Sequence, residues 1–102
     1  MSIRRACSYT GTFTLPDAAS SYSALVVAIS QKKQLIIRKT KEDLVLSGND
    51  AAIRLTQQET LRLAAGTPAQ IQIRAYKSDY EAPGSKIYTV DVYPSIDEEV
   101  LP

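Results

Sequence analysis

The sequence has no histidine, a single cysteine, and only four glycines in 102 residues. Without histidine, and with Cys7 as its only thiol, the chain lacks the usual zinc ligand sets and cannot form an internal disulfide. The glycines are isolated, so neither a Gly-x-Gly-x-x-Gly nor a Walker phosphate loop is present. We therefore expect no metal, nucleotide or other cofactor.

A recognisable catalytic pair is also missing among the acidic side chains. The acidic residues considered are Glu42, Asp43, Asp50, Glu59, Asp79, Glu81 and Asp91. Most of them fall in predicted loops or on solvent-facing sides of strands, where solubility and capping explain the presence of carboxylates. Histidine, the commonest catalytic base, is absent. The sequence predicts a protein that is not an enzyme and takes no small-molecule substrate.

Neither sign of charge dominates, because 12 Lys and Arg residues oppose 11 Asp and Glu residues for a net charge of +1. Such a balance creates no field that would attract nucleic acid or an anionic membrane. The sequence has one basic cluster, which consists of Lys32, Lys33, Arg38, Lys39 and Lys41. It contains no interleaved aromatic residues and is followed directly by acidic residues, which is typical of a solvated hairpin. We expect no nucleic-acid partner.

Long hydrophobic runs are missing as well. The longest strongly apolar run, residues 24–29, is far shorter than the roughly 20 residues that span a bilayer. Polar residues follow Arg4 and Arg5, where a signal peptide would have an apolar segment. We expect no membrane partner and no signal peptide.

The sequence does contain a series of short segments with β-strand patterns. Residues 8–15 and 69–76 alternate between apolar and polar residues, and residues 22–31 are apolar on both sides. Four further segments are short and separated by polar or Gly- and Pro-containing turns: residues 35–38, 44–46, 52–55 and 87–93. The pattern predicts about seven strands.

One short helical turn is expected between Thr56 and Leu63. Thr56 and Glu59 have the spacing of a capping box, in which each side chain binds the backbone amide of the other residue. Leu61 and Leu63 are expected to close one end of the core, and Gly66 to adopt a left-handed conformation after the turn.

These segments predict an all-β fold, an immunoglobulin-like antiparallel β-sandwich, with a small β-barrel as the alternative. We expect a single domain over residues 1–102, with a short flexible N-terminal arm and an acidic C-terminal tail. Tyr9 and Tyr88 are assigned to the core.

Four side chains are candidates for a partner interface. Ile36 and Val45 point away from the expected core faces of their strands, and Tyr76 and Tyr93 fall on the outward-facing positions of theirs. Exposed aromatic side chains often anchor protein contacts. Ile87 is a further apolar residue on such a face.

The order of several short motifs resembles a known group of proteins. The motifs are Gly-Thr-Phe-Thr-Leu-Pro at 11–16, Leu-Thr-Gln-Gln-Glu-Thr-Leu-Arg-Leu at 55–63, Gly66, Gln-Ile-Arg at 72–74, Gly-Ser-Lys-Ile at 84–87 and Val-Asp-Val at 90–92. Together they resemble the small immunoglobulin-like β-sandwich structural and accessory proteins of tailed phages and prophages. The loop at residues 78–84 departs from the Asp-Gly that such relatives often carry before the last strand.

This resemblance implies a non-enzymatic virion protein of the head, neck, tail or baseplate. It would be made in the cytoplasm of a bacterial host, would reside in the virion, and would contact phage structural proteins or further copies of itself as a homo-oligomer. The alternative is a phage-encoded interaction protein that binds a host protein and inhibits it. The resemblance supplies no catalytic residues.

Overall fold

The structure is a computed structural model that describes residues 2–78, 82–85 and 87–102. Part of the predicted loop at 77–86 thus lies outside the described residues. The described ranges contain the following elements: β1 Ser2–Arg4, β2 Tyr9–Thr14, β3 Ala24–Gln31, β4 Gln34–Thr40, β5 Val45–Ser47, β6 Asp50–Leu55, α1 Gln57–Thr60, β7 Ala69–Tyr76 and β8 Tyr88–Tyr93. Short 3₁₀ turns cover Ala19–Ser21 and Lys41–Asp43.

The strands form two separate sheets. One has five strands in the order β1-β8-β7-β3-β4, and the other has three in the order β2-β6-β5. Both sheets are open, so the predicted sandwich is confirmed and the barrel alternative is wrong. All pairings within the sheets are antiparallel except that of β1 with β8, which is parallel.

The core lies between the inner faces of the two sheets. In β7 the alternation is complete, because Ala69, Ile71, Ile73 and Ala75 are buried while the residues between them are exposed or half-buried. The buried residues of β6 are Ala51, Ile53 and Leu55, and those of β3 begin with Leu25, Val27 and Ile29. A period of two thus gives β3, β6 and β7 one inward face each, and that of β7 is the predicted one.

The N-terminal segment differs from our expectation of a flexible arm. Residues Ser2–Arg4 form an eighth strand, in which Ile3 pairs with Val92 and is fully buried. A single apolar residue between polar neighbours is too short a pattern to predict a strand, yet its burial stabilises the edge of the sheet. The following Arg5 forms an ion pair of 2.6 Å with Glu98 of the acidic tail.

The predicted capping box begins α1. Thr56 Oγ1 accepts a hydrogen bond from the Glu59 amide at 3.2 Å, and Glu59 Oε1 accepts one from the Thr56 amide at 3.0 Å. After the helix, Leu63 is 1% exposed and Gly66 has φ of +79°, as expected, whereas Leu61 is only half-buried. The helical turn therefore closes one end of the sandwich.

A buried glutamine fastens the chain after this turn to β3. The Gln31 side chain is the last of β3, and its Nε2 donates to the carbonyl oxygens of Ala64 and Thr67, both at 2.9 Å. Its Oε1 accepts from the Ala64 amide at 2.9 Å. One side chain thus satisfies three backbone groups that the loop cannot pair internally.

Glu59 also joins the helical turn to β4, through an ion pair with Lys39. Partial burial alone would raise the pKa of Glu59. The hydrogen bond and charge of Lys39, together with the Thr56 amide, outweigh that effect and hold the pKa below its ordinary value of 4.5.

Glu59→Gln should reveal this contribution as a pH dependence. A folded-state pKa below the unfolded value means that ionised Glu59 stabilises the fold above pH 4.5. The stabilisation is lost as the pH falls through the folded pKa. We expect the wild type to exceed the variant by roughly 1 kcal/mol at pH 7 and by much less at pH 3. Thermal unfolding of both proteins at several pH values measures this.

Glutamine at position 59 still accepts from the Thr56 amide, so the variant removes the charge and keeps the cap. A stability difference that stays constant from pH 7 to pH 3 would contradict the assigned ion pair.

The turn between β3 and β4 places two lysines in an unfavourable conformation. Lys32 and Lys33 have φ of +50° and +65°, which is the two-residue geometry that favours Asn-Gly in hairpins. The hairpin that the sequence predicted at residues 31–34 is therefore present, and because its turn lacks Asn-Gly its backbone is strained at both lysines.

Lys33→Gly should stabilise the protein by up to about 1 kcal/mol. Glycine has no Cβ atom and so avoids the steric clash of the left-handed region. The strain free energy relieved in the folded state exceeds the cost of the higher conformational entropy that glycine gives the unfolded chain. Lys33→Gln is the matched control, because it removes the same charge and retains the strain. Denaturant unfolding of the two variants should separate them; equal stabilities would show that charge, not backbone strain, dominates at this turn.

Candidate interaction surface

Two of the predicted interface residues lie on the outer face of the five-stranded sheet. Tyr76 is 42% exposed and Tyr93 is 44% exposed. The Arg4 guanidinium lies 5.7 Å from the centre of the Tyr93 ring, a cation–π contact, and Tyr93 Oη donates to Asp91 at 3.4 Å. The backbone carbonyl of Tyr76 accepts from the Ser23 amide at 2.9 Å.

The two tyrosines occupy opposite ends of that face. Each ends its strand, and the antiparallel strands β7 and β8 are in register at Ala69 and Val90. Tyr76 lies seven residues beyond Ala69 along β7, and Tyr93 lies three residues beyond Val90 along β8 in the opposite direction. At about 3.3 Å per residue, the two tyrosines are roughly 30 Å apart. They lie on the same face, but they are too far apart to belong to one contact patch.

Val45 lies on the other side of the molecule. It pairs with Ala52 on the outer face of the three-stranded sheet and is 42% exposed, so its predicted outward direction is correct. Three of the candidates are therefore exposed, but they are divided between the two outer faces of the sandwich.

Ile36 does not point outward as predicted. The register of β4 against β3 shifts between Ile29 and Ser30, so a bulge at Ile36 turns this side chain toward the core, where it is partly buried. The same shift leaves the neighbouring Leu35 on the outside, 58% exposed. Strict alternation could not locate a bulge, because an extra residue reverses the faces beyond it.

An apolar groove that the sequence pattern did not predict lies between the two sheets. Its volume is about 520 Å³, and it opens beside β2. Phe13 and Tyr88 contact each other across it with ring centres 6.0 Å apart and planes inclined at 58°. Tyr9 packs against the core as assigned, whereas Tyr88 is 38% exposed because it faces this opening.

Gly11 makes room for the Tyr9 ring within the groove. A Cβ atom at position 11 would lie 3.2 Å from both Cε2 and Oη of Tyr9. Burial of the phenol raises the pKa of Tyr9 above its ordinary value of 10.0. The ring thus fills space that a side chain at position 11 would take.

The edge of β2 is unlike the other sheet edges in the described part of the chain. Each of the others carries a feature that discourages strand addition: β1 and β5 have only three residues, and β4 has cations and the bulge. The six residues of β2 include no charge, proline or bulge. The threonines at 10, 12 and 14 indicated a solvent-facing side of this strand, but only the strand order shows that β2 lies at an edge.

The described residues show neither a metal centre nor a spanning helix. Within these ranges, no group of three or more His, Cys, Asp or Glu side chains could hold a metal ion. None of the helices there is long and apolar enough to cross a membrane.

The fold defines the chain as an immunoglobulin-like β-sandwich. Among solved structures it is similar to the immunoglobulin-like domain of mouse leukocyte-associated immunoglobulin-like receptor 1, which was solved as a strand-swapped dimer. The TM-score is 0.54 with 12% identity, over 90% of this chain and 85% of that one. This likeness confirms the predicted fold class and concerns the fold alone. No family model and no curated protein matches the chain.

Gly11→Ala should push the Tyr9 ring toward solvent. The new methyl group would be too close to two ring atoms, and the side chain can move more easily than the backbone. We expect the Tyr9 phenol to titrate closer to 10.0 than in the wild type. Ultraviolet titration measures this, and a Tyr9→Phe variant identifies the Tyr9 component. An unchanged titration would show that the ring does not depend on Gly11.

Proposed function

We propose that this protein is a non-enzymatic protein–protein contact module. The observation that carries the proposal is the open edge of β2 above an apolar groove, with aromatic side chains lining the opening. A strand edge supplies backbone hydrogen bonds, and an adjacent groove supplies apolar contact, which is the combination used in recognition by strand addition. The exposed Tyr76 and Tyr93 offer further contact positions on the outer face of the five-stranded sheet.

We further propose that the contacts serve a virion, in which the protein is a structural or accessory component of the head, neck, tail or baseplate. The support for this setting is the resemblance of the motifs at 11–16, 55–63, 84–87 and 90–92 to phage and prophage proteins of this architecture. Its partners would be phage structural proteins or other copies of itself. A free inhibitor of a host protein has the same architecture but would be absent from particles.

The two hypotheses predict different locations for the protein. After induction of the source prophage, purified particles should contain it in a fixed ratio to the other structural proteins, which quantitative mass spectrometry measures. Recovery only from the soluble fraction, bound to a host protein, would contradict the virion setting.

Tyr76→Glu and Tyr93→Glu should lower incorporation into particles and leave the melting temperature nearly unchanged. Both rings are about half exposed, so a carboxylate there disturbs a docking face and little of the core. Gln34→Glu is the control, because it adds the same charge at an exposed position at the start of β4. Unfolded variants would identify these tyrosines as structural, and folded variants with normal incorporation would exclude this face as the contact.

A further inference from the structure

We propose that two copies of this chain pair through β2, antiparallel to each other, about a two-fold axis at Thr12. The two three-stranded sheets would then form one continuous six-stranded sheet. This inference rests on the contact function proposed above and names its partner as a second copy.

Among the residues that the structure describes, the backbone groups of β2 without a partner belong to the threonines. The Leu15 amide donates to the Asn49 carbonyl at 2.7 Å, and Leu15 continues the register in which Phe13 pairs with Ala51. Because hydrogen-bonded pairs alternate in an antiparallel ladder, the odd residues of β2 bond to β6. The N–H and C=O groups of Thr10, Thr12 and Thr14 therefore point to the open edge.

This edge is complementary to itself in one register. With Thr12 opposite Thr12 of the second copy, Thr10 lies opposite Thr14, and three mutual pairs give about six backbone hydrogen bonds. The threonine side chains of both copies then line the outer face, where Thr–Thr pairs are favourable across strands.

The inward residues match in the same register. Gly11 lies opposite Phe13 of the second copy, so that an aromatic ring covers a glycine, an arrangement that stabilises paired strands. Tyr9 lies opposite Leu15, which places two apolar side chains together. The Phe13 rings of both copies stand at the mouths of the two grooves, and the pairing places those mouths side by side.

Charge favours a second copy as the occupant. Residues 9–15 carry no charge, so antiparallel pairing of this segment with itself brings no like charges together. The edge of β4 in contrast has the exposed Arg38, whose charge a copy of the same edge would repel. Of the edges in the described part of the chain, β2 is thus the longest that can pair with itself without repulsion.

Two double variants test the register. Thr10→Lys with Thr14→Lys puts two like-charged pairs across the axis and should weaken dimerisation roughly tenfold or more. Thr10→Glu with Thr14→Lys puts opposite charges across the same axis and should dimerise at least as well as the wild type. Within one copy, Thr10 pairs with Arg54 and Thr14 Oγ1 donates to Asp50 at 2.9 Å, so the introduced glutamate and lysine meet opposite charges there too.

Sedimentation equilibrium measures the dissociation constants, and circular dichroism of each variant at low concentration confirms folding. Equal association of the two double variants would overturn the proposed register. A wild type that remains monomeric up to about 1 mM, the limit of weak association, would overturn the pairing itself. The contact function is judged separately, by recovery from particles, and would survive that result.

A cross-link provides an independent measurement. In a Cys7→Ser background, Thr12→Cys should form a disulfide-linked dimer on mild oxidation, because opposed Cα atoms of a hydrogen-bonded pair are about 5.5 Å apart. Ser47→Cys on the edge of β5 is the matched control and should remain monomeric. Equal cross-linking at both positions, or cross-linking at Ser47 alone, would contradict a dimer through β2. A partner strand from another protein would leave both variants uncross-linked, and this result also overturns the proposal.

Discussion

The layer of apolar side chains between the two sheets is the constraint on which the rest of this structure depends. Cys7 is the only cysteine, so no disulfide joins the sheets, and buried side chains such as Val27, Ile53 and Ile73 form the apolar layer that holds them together. Loss of one large core side chain typically costs about 2–5 kcal/mol, against a total stability of about 5–15 kcal/mol for a domain. A small sandwich without a covalent tie therefore has little margin, and every strand must keep its apolar face inward.

Polar contacts complete the core at the end where α1 lies. Gln31 binds the loop after the helix, Thr60 Oγ1 donates to the Cys7 carbonyl at 2.9 Å, and Glu59 joins the cap to Lys39. These buried or half-buried groups satisfy backbone atoms that would otherwise be desolvated without partners. The edge at β2 has no such closure in the described part of the chain. In the contact function proposed above, stability and recognition thus belong to different parts of the sandwich: the polar contacts lie at the end with α1, and the proposed contact lies at the edge of β2.

Local sequence patterns correctly predicted the elements whose geometry depends on residues close together in the sequence. The inward face of β7 follows from a period of two, and the cap of α1 follows from the spacing of Thr56 and Glu59. The prediction was wrong at two positions, one where an extra residue forms a bulge and one where an isolated apolar residue lies in a short strand. The bulge turned Ile36 inward, and Ile3 formed a strand because a free edge of β8 was available to it. Neither event has a signal within a short window of sequence.

The fold class, the capped turn and the absence of an internal disulfide could be read from the amino-acid order, because periodicity, capping and cysteine count are local or compositional properties. Which exposed residues share a surface became known from the folded structure. Tyr76 and Tyr93 proved to be on one face but at opposite ends, and Val45 on the other side, because strand order and direction place them. The groove beside β2 likewise arises from residues of both sheets, which meet only when the sandwich closes. A surface made from distant segments depends on topology, and alternation along single strands does not encode topology.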